Sequence, residues 1–164
     1  MTALILRVRR RPYVILGLIG LSLVVLVFTA ETALQPTRWA GSLSWQVATG
    51  TALLAAILYQ WVLLWVRDRK APARKQRKHY TAHRWVGVAT TLLFAVHAVR
   101  FGHAWTSVLA VTFIAVAATG LLNREVIPYR SSWLYHLWLW VHIALASALL
   151  PLIAVHVWIA LSYQ

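Results

Sequence analysis

From Trp133 to Tyr163 the chain runs for 31 residues without a single Asp, Glu, Lys or Arg. As one helix that run would measure about 46 Å at 1.5 Å per residue, more than the roughly 30 Å hydrocarbon layer of a bilayer. It must therefore tilt or project from the membrane. Four further apolar stretches precede it: Tyr13–Ala30, Ser44–Val66, His83–His103 (apolar from Trp85) and Trp105–Leu122. Each approaches the length of about 20 residues that a span requires. Composition agrees, because only 12% of the 164 residues are charged, about half the share in a soluble domain. The fold expected is an all-α integral membrane protein, a single bundle of about five transmembrane helices over 1–164.

The few charges are one-sided: 16 Lys+Arg oppose 3 Asp+Glu. Arg7, Arg9, Arg10 and Arg11 precede the first stretch. Arg67, Arg69, Lys70, Arg74, Lys75, Arg77, Lys78 and Arg84 separate the second from the third, and Arg124 and Arg130 precede the fifth. Only Arg38 and Arg100 fall on the other side. Five spans with a cytoplasmic N-terminus satisfy the positive-inside rule. A loop between spans and anionic lipid contact explain RDRKAPARKQRKHYTAHR better than nucleic-acid binding does. Trp39, Trp45, Trp105 and Trp158 fall near the outer interface, and Trp61, Trp65, Trp85 and Trp133 near the inner one. Eighteen apolar residues are long for a signal peptide core, so the first stretch is expected to remain as a helix. There are no cysteines, which excludes disulfides, thiolate metal sites, iron–sulfur clusters and covalently attached haem.

Histidine placement carries the functional signal, since ionisable side chains inside a membrane are costly. His83 and His97 are 14 residues apart on the third helix, and His142 and His156 are 14 apart on the fifth. At 100° per residue, fourteen residues fall only about 40° short of four full turns. Each pair shares one face of its helix, with about 21 Å between its members. In a five-span topology both helices run from inside to outside. His83 then faces His142 at the inner level, and His97 faces His156 at the outer level. Two imidazoles at one depth, twice over, suit two non-covalent bis-histidine haem b groups. Zinc fits less well, because no Cys, Asp or Glu completes a tetrahedron. The competing readings are packing histidines, which donate hydrogen bonds between helices, and a proton relay.

The other histidines read as interfacial residues or propionate partners: His79 in the basic loop, His103 at the outer end of the third helix, and His136. A shifted register would let His136 replace His142. Arg100, three residues after His97, is placed to pair with propionates of the outer haem, and Arg84, Lys78 and His79 with those of the inner one. Snorkelling to lipid phosphates would account for the same cations. Gly87 would let a ring approach the helix backbone, and Pro151 removes a helical hydrogen bond to Ser147.

HRWVGVATTLLFAVHAVRFGH at 83–103 resembles the first histidine helix of the ferric reductase-like transmembrane domain, a family that includes the membrane part of NADPH oxidases. WLYHLWLWVHIALASALLPLIAVHVWIALSY at 133–163 resembles its second histidine helix. The equal spacings are also similar to the haem core of cytochrome b in bc-type complexes. The likeness implies haem ligation by His83, His97, His142 and His156, and electron transfer across the membrane. Family members often carry a sixth helix and cytoplasmic FAD and NAD(P)H domains, whereas this sequence holds no G-x-G-x-x-G. It also lacks the extra helices that build quinone sites in bc-type cytochromes. The function expected is a di-haem b electron-transfer subunit of an oxidoreductase, not a complete enzyme, in a hetero-oligomer of the bacterial inner membrane. Its redox partner would be a flavoprotein, quinol, a cytochrome or a periplasmic enzyme. The alternatives are a quinone-reactive anchor subunit and a haem-free structural or assembly subunit.

Overall fold

The computed structural model describes residues 11–29, 42–65, 72–98 and 104–162, and among these there are five helices and no strand. They are α1 (Pro12–Thr29), α2 (Leu43–Trp65), α3 (Ala73–His97), α4 (Ala104–Leu121) and α5 (Ser132–Ser162). Four of them, α1, α2, α4 and α5, are long and apolar enough to cross a membrane. Four of the five begin and end within one residue of the stretches expected from the sequence.

The exception is α3. It starts at Ala73, ten residues before the expected stretch, so Arg74, Lys75, Arg77, Lys78 and His79 lie on a helix and not in a loop. Hydropathy marks where a chain leaves lipid, but helix propensity decides where a helix begins. Ala, Arg, Lys and Gln are all good helix formers. Pro72 caps the start, and its carbonyl accepts from the amides of Lys75 and Gln76. The described helix ends with His97, and the Ala98 amide closes the last turn on the Phe94 carbonyl. Arg100 and His103 lie outside the described residues.

Local chemistry fixes the other starts. Pro12 takes the first helical position of α1, where a missing amide hydrogen costs nothing. Ser42 caps α2, its hydroxyl accepting from the Trp45 amide at 3.4 Å. Between α4 and α5, the Asn123 carboxamide oxygen accepts from the Glu125 amide at 3.0 Å, and its carbonyl accepts from Val126. That side-chain-built turn reverses the chain within ten residues.

The described residues fall into two compact units, one carrying α1, α2 and α3, the other α4 and α5. In the first, α3 packs against both α1 and α2. Val14, Gly17, Gly20 and Val24 form the buried face of α1. A methyl group at Gly20 would lie 3.3 Å from Leu92 Cδ2 and Thr91 Cγ2 of α3. Small residues at such an interface let backbones approach, which matters where lipid supplies no hydrophobic drive between helices. The α3 side of the first unit buries Val88, Thr90, Thr91 and Phe94, and α2 buries Thr49, Leu53 and Leu63. In the second unit Ala110, Phe113 and Leu149 are buried. Much apolar surface faces outward: Trp133, Trp140, Trp158 and Leu161 are each more than 60% exposed. Patches of this kind need an apolar solvent or a partner.

Candidate functional site

The sequence singled out two histidine pairs. His83 and His97 lie on the uninterrupted α3, and His142 and His156 on the uninterrupted α5, which runs through Pro151. All four rings are half-buried. The pairs fall in different units, and in each unit one histidine meets a threonine of the preceding helix.

In the first unit that residue is His97. Its Nδ1 lies 2.9 Å from the hydroxyl of Thr49 on α2. The same hydroxyl sits 2.7 Å from the carbonyl of Trp45, one turn back on its own helix. A carbonyl can only accept, so the hydroxyl proton goes to Trp45. With that proton on Trp45 the oxygen is the acceptor, and the tautomer that suits it carries its proton on Nδ1 and its lone pair on Nε2. The ring lies against Gly50, where a Cβ would stand 3.1 Å from His97 Cε1. A side chain at this contact would make the imidazole give by a few tenths of an ångström.

The second unit repeats the arrangement. His142 Nδ1 lies 2.9 Å from the hydroxyl of Thr119 on α4. That hydroxyl donates back to the Ala115 carbonyl at 2.8 Å, so His142 must again be the donor, with its lone pair on Nε2. Gly120 adjoins the ring, a Cβ there standing 3.5 Å from His142 Cε1. Trp138, one turn earlier on α5, stacks on the imidazole with ring centroids 6.1 Å apart and an interplanar angle of 12°. Its indole N–H donates to the Thr119 carbonyl at 2.8 Å. Threonine and histidine helices are thus bound together at two points.

A histidine that binds a metal presents one nitrogen as a lone pair and donates its other N–H to a neighbour, which fixes the tautomer and the ring plane. His97 and His142 each present Nδ1 to such a neighbour, the arrangement that a haem-binding histidine would use.

The remaining candidates divide. His136 is exposed, and its Nδ1 bonds to the Ser132 carbonyl of its own helix at 2.8 Å. His142, not His136, is therefore the residue that α5 turns toward α4. Arg84 places its guanidinium over the Tyr13 ring of α1, 5.3 Å from the centroid, and the Arg11 guanidinium donates to the Tyr13 hydroxyl at 3.4 Å. At Gly87 the neighbour is Gln60 of α2, 3.9 Å from the position of a Cβ. His79 is half-buried on α3, and Lys78 is exposed.

Sequence reasoning missed Thr49, Gly50, Thr119, Gly120 and Trp138. A signal did exist: Ala48-Thr49-Gly50 and Ala118-Thr119-Gly120 contain the only two Thr-Gly dipeptides in the chain. Each lies on the helix immediately before a histidine helix. No family model, curated protein or solved structure matches the chain.

Proposed function

We propose that the chain is a multi-pass membrane cytochrome b that passes electrons from one face of a membrane to the other. The observation that carries this reading is the repeated presentation of imidazole: His97 and His142 each bring Nδ1 within 2.9 Å of a threonine hydroxyl on the preceding helix. Each belongs to a helix with a second histidine 14 residues away, on nearly the same face. In this reading His83, His97, His142 and His156 would hold two haem b groups, paired as the spacing predicts. α3 forms the fifth span, using the apolar residues from Trp85 onward and leaving its basic first turns in the cytoplasm with the N-terminus.

When bound, haem iron supplies one-electron Fe(III)/Fe(II) chemistry. The chain's own residues hold ligand nitrogens at two depths about 21 Å apart, and its apolar helices keep water from the path between them. Arg84 and Arg100 would neutralise propionates. Donor and acceptor are separate partners, a flavoprotein or quinol on one side and a cytochrome or enzyme on the other, so the chain serves as an electron-transfer subunit.

The test is haem content after single substitutions in the purified full chain. His97→Ala and His156→Ala should each remove one haem, and the double variant no more than either alone. His83→Ala and His142→Ala should remove the other. Loss of both haems from every single variant that still folds would contradict the pairing.

A further inference from the structure

The two histidine environments are more alike than ligation requires. Both pair a back-bonded threonine with the glycine that follows it, the threonine facing Nδ1 and the glycine facing Cε1 of an imidazole on the next helix. They differ in where along the helix pair they lie. Thr49 is near the start of α2 and meets the last residue of α3, at the end away from the segment joining them. Thr119 is near the end of α4 and meets His142 near the start of α5, at the end where they join.

We infer that Thr49 and Thr119 are positioning residues for the ligand histidines His97 and His142, and that each haem site of the proposed reading has one of these threonine-anchored histidines. This rests on the haem reading above. The threonine oxygen acts on the iron through the imidazole. By accepting the Nδ1 proton in a hydrogen bond it raises the electron-donor strength of Nε2, which favours the ferric state and lowers the potential of that haem. It also removes the ring's freedom to flip to the other tautomer, whose Nε2 would carry a proton and could not ligate. His83 and His156 lie on the same helices as the anchored histidines and complete the two sites. A Cβ at Gly50 would crowd the His97 ring at 3.1 Å, whereas one at Gly120 would stand in ordinary contact with His142 at 3.5 Å.

The experiment uses the full-length protein, labelled with 15N-histidine and reduced with dithionite. Low-spin ferrous haem is diamagnetic, as is a haem-free chain, so imidazole nitrogen spectra can be recorded in either case. Redox titration supplies the second readout. Thr49→Val should abolish the protected Nδ1–H signal of His97 and raise one of two midpoint potentials while leaving the other. Thr119→Val should do the same for His142 and the other midpoint. Haem affinity at the altered site should fall about 10- to 100-fold, the usual effect of removing such a partner. Thr49→Ser and Thr119→Ser, which keep the oxygen, should restore the wild-type values. If two haems bind and neither valine variant changes a nitrogen signal or a potential, the anchoring role is wrong and the haem reading survives. If the Nδ1–H signals depend on the threonines but no haem binds, the tautomer lock stands and its redox purpose falls. If both variants move the same midpoint, the assignment of one anchored ligand to each site is refuted.

Discussion

Gly50→Ala and Gly120→Ala form a matched pair that tests how tightly the histidines are seated. Both glycines lie inside helices, so each substitution gains about 0.8–1.0 kcal/mol of helix propensity. The gain is common to both and cancels in the comparison. The seats differ. A methyl at Gly120 meets His142 Cε1 at 3.5 Å, an ordinary van der Waals distance. At Gly50 it meets His97 Cε1 at 3.1 Å, so the ring must give by a few tenths of an ångström. That ring is tied to Thr49 at 2.9 Å, and its displacement stretches a hydrogen bond with a net contribution of about 0.5–1.5 kcal/mol. Overpacking of this kind costs about 1–3 kcal/mol. Gly120→Ala should therefore be neutral or stabilising, and Gly50→Ala about 1–2 kcal/mol less stable than Gly120→Ala. For a chain of this length each kcal/mol shifts the midpoint by roughly 2–4 °C. Thermal unfolding of both variants in one detergent should place Gly50→Ala about 2–8 °C below Gly120→Ala. Equal midpoints, or the reverse order, would refute the seating.

Trp138→Phe keeps an aromatic ring beside His142 but removes the bond to the Thr119 carbonyl, and should cost about 1 kcal/mol of thermal stability. Gly20→Leu should loosen α1 from α3 by about 1–3 kcal/mol, measurable as faster proteolysis within 11–98. Arg84→Gln removes the cation over Tyr13 and should cost about 0.5–2 kcal/mol, with Arg84→Lys intermediate on chemical denaturation. Tyr129, in the turn before α5, donates to the Leu122 carbonyl at 2.7 Å, and burial pushes its phenol above the usual range. The neutral form is the favoured one, so its contribution is complete below the ordinary value of about 10 and disappears as pH rises through the raised one. Ultraviolet titration should show one tyrosine ionising late, and Tyr129→Phe should remove that step.

Helix positions were legible because lipid demands long apolar runs, and a charge-free stretch such as Trp133–Tyr163 has few alternatives. The beginning of α3 was not, since Arg74–Lys78 are cationic and helix-forming at once, and charge alone reads as loop. Repetition of the 14-residue histidine spacing was legible from helical geometry. Anchoring by Thr49 was not: threonine inside an apolar helix ordinarily bonds its own backbone, as Thr90 and Thr91 do. Which threonine also meets a residue 48 positions away depends on how α2 packs on α3. Arg84 reads equally well as a propionate partner or a lipid anchor, and only packing against α1 reveals Tyr13 beneath it.

The most direct measurement is the reduced-minus-oxidised absorption spectrum of the purified full-length protein, with haem quantified as its pyridine complex against protein mass. Low-spin haem b bands and two haems per chain, without covalent attachment, are the expected result. A folded, helical, colourless protein from cells supplied with haem would contradict it.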